Sequence, residues 1–199
     1  MSRPQSEPIG VILAGGRGRR MGGAKATVLL AGRPLISYPL EALSAVLGEV
    51  VVLAKADTEL PSLPGTTVWV EPDTRHHPAI GIVQALGLAG GRSVLVCAGD
   101  LPFVAPAIVR DLSAADPGLA PAVVASSGGS VQPLLGCYQP LAADLLRPGD
   151  ERPLREQIAA LSPQLLEIED PRAMFNVNAP EDLLQAAALL GGSGLSNRT

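Results

Sequence analysis

Residues 11–25, VILAGGRGRRMGGAK, place three arginines, one lysine and five glycines directly after an apolar run. Basic side chains do not belong in a core, and glycines weaken a helix. Gly15 and Gly16 let a backbone turn sharply and approach a ligand closely. Backbone N–H groups exposed in such a turn form an anion-binding nest. Arg17, Arg19, Arg20 and Lys25 supply positive charge, four of the chain's 15 basic residues within nine positions. Arginine offers phosphate oxygens a planar fork and lysine a mobile point charge. The chemistry that suits this loop is the binding of a triphosphate. A Walker loop would end in Gly-Lys-Ser/Thr, but Lys25 stands between Ala24 and Ala26. The dinucleotide fingerprint needs a spacing one residue shorter than that from Gly16 and Gly18 to Gly22.

Further along, the acids and amides with potential chemistry also follow apolar runs. In VCAGDLPFV (96–104), Asp100 comes just past a strand-like segment. A lone carboxylate there suits a magnesium ion, because substrate phosphates and water fill the remaining positions. The alternative is a helix or turn cap before Pro102. In VEPDT (70–74), Glu71 and Asp73 mark a second acidic strand end, where Asp73 can read a sugar hydroxyl or base edge, or only shape a turn. In FNVNAPEDL (175–183), Asn176 and Asn178 are two apart, so on an extended segment both side chains point the same way. Pro180, Glu181 and Asp182 then open a helix, for which Asn178 is a candidate cap.

These positions share one requirement: a scaffold that brings strand ends together. Apolar runs at 9–14, 49–54, 67–70, 93–98 and 121–126 read as strands. Segments 35–47, 80–89 and 105–115 carry helix spacing, although Pro39 sits awkwardly in the first. Strands apolar throughout and separated by helices imply a mostly parallel sheet covered on both faces, with right-handed crossovers. Segments 130–138, 154–162, 165–169 and 180–190 add further strands and helices. The predicted fold is therefore an α/β, Rossmann-like three-layer sandwich, one domain over residues 1–190 followed by a disordered tail, 191–199. Ligands of such sheets sit at the carboxyl ends of the strands.

Composition narrows the partners. The chain is 47% hydrophobic but only 3% aromatic, so aliphatic residues must fill the core. A net charge of −4 argues against a general nucleic-acid binder or a membrane-surface protein. No apolar run reaches the roughly 18 residues of a membrane span. The N-terminus MSRPQSEP lacks the apolar core of a signal peptide. Cys97 and Cys137 lie in apolar stretches and read as reduced core residues of a cytoplasmic protein.

Taken together, LAGGRGRRMGGAK (13–25), GRPLI (32–36), CAGDLPF (97–103), QPLLGCY (132–138) and FNVNAPEDL (175–183) resemble the molybdenum cofactor guanylyltransferases, a branch of the nucleotidyltransferases. The resemblance runs from about residue 9 to 190. It implies transfer of GMP from GTP to the terminal phosphate of molybdopterin, with release of pyrophosphate. It implies that Leu13, Ala14, Gly15 and Gly16 wrap the nucleotide, with a glycine at Gly15 associated with guanine. Lys25 would hold the triphosphate, Arg20 would stabilise charge on the leaving pyrophosphate, and Asp100 would bind Mg2+. Asp73 falls where the family places a nucleotide-contacting acid, and Asn176 and Asn178 fall near the pterin phosphate. Handling of a labile cofactor also suggests a transient delivery or molybdoenzyme partner.

The chain departs from the family pattern on the base and ribose side. The usual Gly-Pro-Leu-Ala-Gly reads HPAIG (77–81), Ala24 precedes the lysine, and Ala54 and Lys55 stand where an asparagine is expected. His76 and His77 fall in this altered loop and read as solvent-facing or ligand-lining. A phosphate monoester is already anionic near neutral pH, so the reaction needs alignment and charge neutralisation more than a general base. Two other readings stay open: a relative using CTP or another phosphorylated acceptor, and a non-catalytic nucleotide-binding module.

Overall fold

The computed structural model describes residues 7–14, 25–72 and 75–192. The expected strands form at β1 (Ile9–Leu13), β4 (Val50–Lys55), β5 (Thr67–Glu71), β6 (Val94–Ala98) and β7 (Ala122–Ser127). Between β1 and β4 lies a small hairpin, β2 (Leu29–Leu30) and β3 (Arg33–Pro34). Ala31 and Gly32 turn it with φ of 49° and 81°, the paired positive values of a tight two-residue hairpin turn. Two later strands, β8 (Ser130–Tyr138) and β9 (Gln164–Glu167), complete the set among the described residues.

The central sheet has seven strands in the order β5-β4-β1-β6-β8-β7-β9. β5, β4, β1 and β6 are mutually parallel. β8 runs antiparallel to both β6 and β7. The chain order reverses around β1, which has β4 on one side and β6 on the other. This is the switch point where open α/β sheets leave a crevice.

Side-chain alternation divides the core into two layers. Ile12, Val52, Leu95, Cys97 and Val123 face one side, against α1 (Ser37–Ser44) and α3 (Pro106–Ala114). Val11, Val51, Val94, Val96 and Val124 face the other, against α2 (Pro78–Leu88), α4 (Ala142–Leu145) and α5 (Leu154–Ala160). The expected three layers are present. Full burial of a side chain such as Ile12 contributes roughly 1.5–3 kcal/mol.

The awkward proline also has an explanation. α1 begins at Ser37, two residues after the start of the helical pattern. Pro39 therefore falls in the first turn, where its missing N–H has no intrahelical partner to lose. α2 and α3 start on Pro78 and Pro106 for the same reason.

A third, smaller cluster matters for the site. Leu30 and Leu35 pack with Val177 and with Ala186 of α6 (Pro180–Gly192). The Tyr38 hydroxyl donates to the Leu30 carbonyl at 2.7 Å. Phe103 and Phe175 meet edge to face, with ring centroids 6.0 Å apart. This cluster fixes the segment that precedes α6. The helix runs to Gly192, two residues past the expected end of the domain at 190; residues 193–199 lie outside the described residues.

Both cysteines are free and buried. Burial pushes the Cys137 thiol up to about 11 and the Cys97 thiol higher still, with the nearby Asp100 charge adding to the second. Neither is a nucleophile near neutral pH. Among the described residues, no helix is long and apolar enough to cross a membrane.

Candidate active site

The strands at the switch point are tied together to their last residues. Ala14 N–H donates to the Leu53 carbonyl at 2.9 Å, and Gly99 N–H to the Leu13 carbonyl at 3.1 Å. Their carboxyl ends open on a cavity of about 260 Å³. Leu13, Ala14 and Leu53 line it from β1 and β4, Gly99 and Asp100 from the end of β6, and Leu134 from β8.

Asp100 is held by its position in the chain and by its neighbour. The Val177 N–H donates to its carbonyl at 3.0 Å, joining the 176–178 segment to the end of β6. One side-chain oxygen, Oδ2, receives the Lys25 ammonium at 2.5 Å. The other, Oδ1, is buried and has no hydrogen-bond partner among the described residues. A buried carboxylate oxygen ordinarily finds a donor. Asp100 therefore does not cap its turn, and Oδ1 is the group to which a cation could bind. No three His, Cys, Asp or Glu side chains converge on a metal position among the described residues. That donor set, one carboxylate beside an open cavity, fits magnesium, which takes its other ligands from phosphates and water.

Lys25 opens a 3-10 turn, Lys25–Thr27, and its side chain is 17% exposed. Its Nζ also donates to Asn178 Oδ1 at 2.7 Å. Three expected site residues, distant in sequence, thus meet at one ammonium. The helix cap is not Asn178. Asp182, in the first turn of α6, reaches back and accepts from the Asn178 and Ala179 N–H groups at 2.8 and 2.9 Å. A carboxylate there also suits the positive end of the helix. The Asn178 side chain is released for the site.

Asn176 lies on the same face of this extended segment, while Phe175 and Val177 turn into the third cluster. Its Oδ1 accepts from Gln132 Nε2 at 3.2 Å. Gly15, Gly16, Arg20 and Asp73 lie outside the described residues.

Lys55 and Glu71 are each visible in the sequence, but their pairing is not. They are register partners at the ends of β4 and β5. Their side chains form an ion pair, 8% and 9% exposed, in the cavity wall. Gly81 on α2 lies close by: a Cβ there would meet Leu13 Cδ2 at 3.3 Å and Glu71 Oε2 at 3.4 Å. The signal for the pair was the parallel register itself. Removing one partner strands the other charge in a low-dielectric wall. Lys55→Ala should lower unfolding stability by about 3 kcal/mol, read from urea denaturation; an unchanged midpoint would mean that the carboxylate is solvated.

The two histidines divide. His76 is exposed at the cavity rim. His77 caps α2: its Nδ1 accepts from Ala79 N–H at 3.2 Å. Its Nε2, 3.0 Å from the Arg152 carbonyl, must then carry the proton and donate.

A lysine and a carboxylate lining one switch-point cavity suit the chemistry of the α/β nucleotidyltransferases. Residues 10–165 match the family described as MobA-like NTP transferase domain, and the chain belongs to that family. The molybdenum cofactor guanylyltransferase of Cereibacter sphaeroides is 35% identical over 190 residues, which cover 92% of this chain and 96% of the relative. A probable molybdenum cofactor guanylyltransferase of Chloroflexus aggregans is 31% identical over 202 residues, covering 94% and 96%. The crystal structure of molybdopterin-guanine dinucleotide biosynthesis protein A from Archaeoglobus fulgidus shares the fold. Its TM-score is 0.69 at 24% identity, covering 92% of this chain and 98% of that one.

Proposed function

We propose that this protein transfers GMP from GTP to the terminal phosphate of molybdopterin, releasing pyrophosphate. The names of its relatives support the substrates. The observation that carries the chemistry is Asp100, a cavity-lining residue with one oxygen on Lys25 and the other buried without a partner among the described residues.

In this reading Leu13, Ala14, Gly15 and Gly16 receive the nucleotide at the end of β1. Lys25 turns its ammonium to the triphosphate, and Arg20 meets the charge that develops on pyrophosphate. Asp73 contacts the nucleoside. Asn176 and Asn178 receive the acceptor phosphate, which attacks the α-phosphorus. The P–O bond to the acceptor forms as the bond to pyrophosphate breaks, and no general base is needed for an ionised phosphate. Asp100 Oδ1 would hold magnesium, which neutralises phosphate charge when bound.

The test is pyrophosphate release from GTP, CTP, ATP and UTP, each with and without molybdopterin and with magnesium. GTP with molybdopterin should exceed every other combination. Equal release from CTP would overturn the guanine assignment, and nucleotide binding without release would make the protein a binding module.

A further inference from the structure

β8 does not pair evenly with β7. Val124 lies opposite Gly136, but the next residue, Ala125, lies opposite Gln132. Residues 133–135 therefore bulge from the β7 side, and Leu134 reaches the cavity wall. Two hydrogen bonds brace the bulge. The buried Tyr138 hydroxyl donates to the Pro133 carbonyl at 2.5 Å, and Leu134 N–H donates to Gln132 Oε1 at 3.3 Å. Bulges of this kind re-aim side chains beside functional sites.

The second bond has a consequence for the site. A backbone N–H can only donate, so the Gln132 atom facing Leu134 is its oxygen. Its Nε2 then faces Asn176, and only an oxygen of Asn176 can accept from it. The Asn176 amide is thus set with Oδ1 inward and Nδ2 on its other branch. Lys25 imposes the same choice on Asn178, because an ammonium cannot accept. Among the described residues, neither Nδ2 has an acceptor. Two amides on one face of an extended segment have their oxygens occupied by protein donors and their N–H groups available. An ionised phosphate offers only acceptors, so this is the orientation it requires.

We infer that Gln132 is a positioning residue: through Asn176 it fixes the donor face that receives the acceptor phosphate. This rests on the acceptor reading above. Gln132→Glu tests it. The new carboxylate still accepts from Leu134 N–H, but its second oxygen also accepts, so Asn176 must turn its Nδ2 inward and present Oδ1 to the phosphate. The KM for molybdopterin should rise about tenfold or more, the loss of a hydrogen bond to a charged group. The KM for GTP and the thermal midpoint should stay near the wild-type values. In an Asn176→Ala background the same substitution should change the molybdopterin KM less than about twofold, since a residue acting through another cannot act once that other is gone. Gln132→Met, uncharged and of similar length, should raise the molybdopterin KM several-fold and serves if the charged variant does not fold.

An unchanged molybdopterin KM in both variants, or the same factor in the Asn176→Ala background, overturns the inference. The second outcome would mean that the carboxylate repels the phosphate directly. Wild-type protein run in parallel separates the two readings. If it transfers nothing to molybdopterin, the acceptor reading fails and this inference with it. If it transfers normally while the variants match it, only the role of Gln132 fails.

Discussion

Replacing Asp100 by alanine should reduce pyrophosphate release by about a thousandfold or more, the scale on which a charge-stabilising group at a reacting phosphate acts. The expectation follows from what Asp100 leaves unused. Its Oδ1 is buried without a partner among the described residues, a costly state for a carboxylate that had only a structural role. Its Oδ2 meets Lys25 in an ion pair whose side chains are 17% and 20% exposed. The substitution breaks that largely buried pair but also removes the unpartnered Oδ1, and the two effects offset one another. The backbone bond from Val177 to the Asp100 carbonyl survives the substitution, so the 176–178 segment keeps its anchor. The variant should therefore fold with a near-normal thermal midpoint and fail in turnover. The assay is pyrophosphate release from GTP and molybdopterin at saturating magnesium. Normal turnover there would remove Asp100 from the chemistry and leave Oδ1 unexplained.

Asp100 was legible in the sequence because a strand end in a parallel sheet is a place in space as well as in the chain. The apolar runs at 9–14, 49–54, 67–70 and 93–98 each matched a strand to within a residue or so; for the first, second and fourth both faces are covered and nothing polar interrupts them. Convergence of Leu13, Leu53 and Asp100 followed from topology. Long-range pairing was not legible. That β8 runs antiparallel, and that it bulges at Pro133, depends on which strand lies beside it. A local pattern of apolar residues is the same in either direction.

The asparagines illustrate the same limit at the scale of one bond. Asn178 precedes a helix with Pro180, and the residue type and position both suit a cap. The competition was decided four residues later, by the longer reach of Asp182. With its backbone satisfied from the helix, the Asn178 side chain could turn to Lys25. Lys55 and Glu71 were each visible, but their union required the β4–β5 register. Hydrophobic period sets register only where a face is buried, and β5 exposes Val68 and Val70 at the sheet edge. The pairing that places a charged wall in the cavity was thus the part least specified by local pattern.

Lys25 is the second position where a single change should have a large effect. Lys25→Ala should weaken GTP binding about a hundredfold, measured by calorimetry with magnesium present. Two costs combine. The triphosphate loses a charge-assisted contact, and the Asp100 carboxylate, deprived of its cation, repels the incoming phosphates. Arginine should restore little, because its planar fork is wider than the ammonium that now fits between Asp100 Oδ2 and Asn178 Oδ1 at 2.5 and 2.7 Å. A loss of affinity alone would not distinguish a ligand contact from a collapsed site. The comparison of GTP with GMP does so. If Lys25 faces the β- and γ-phosphates, GMP affinity should change little and the preference for GTP over GMP should collapse. If Lys25 only braces Asp100 against Asn178, both nucleotides should weaken by the same factor. Unchanged GTP affinity would leave the glycine-rich loop's own arginines as the triphosphate's cations, and the Lys25–Asp100 pair as a strut between β6 and α6.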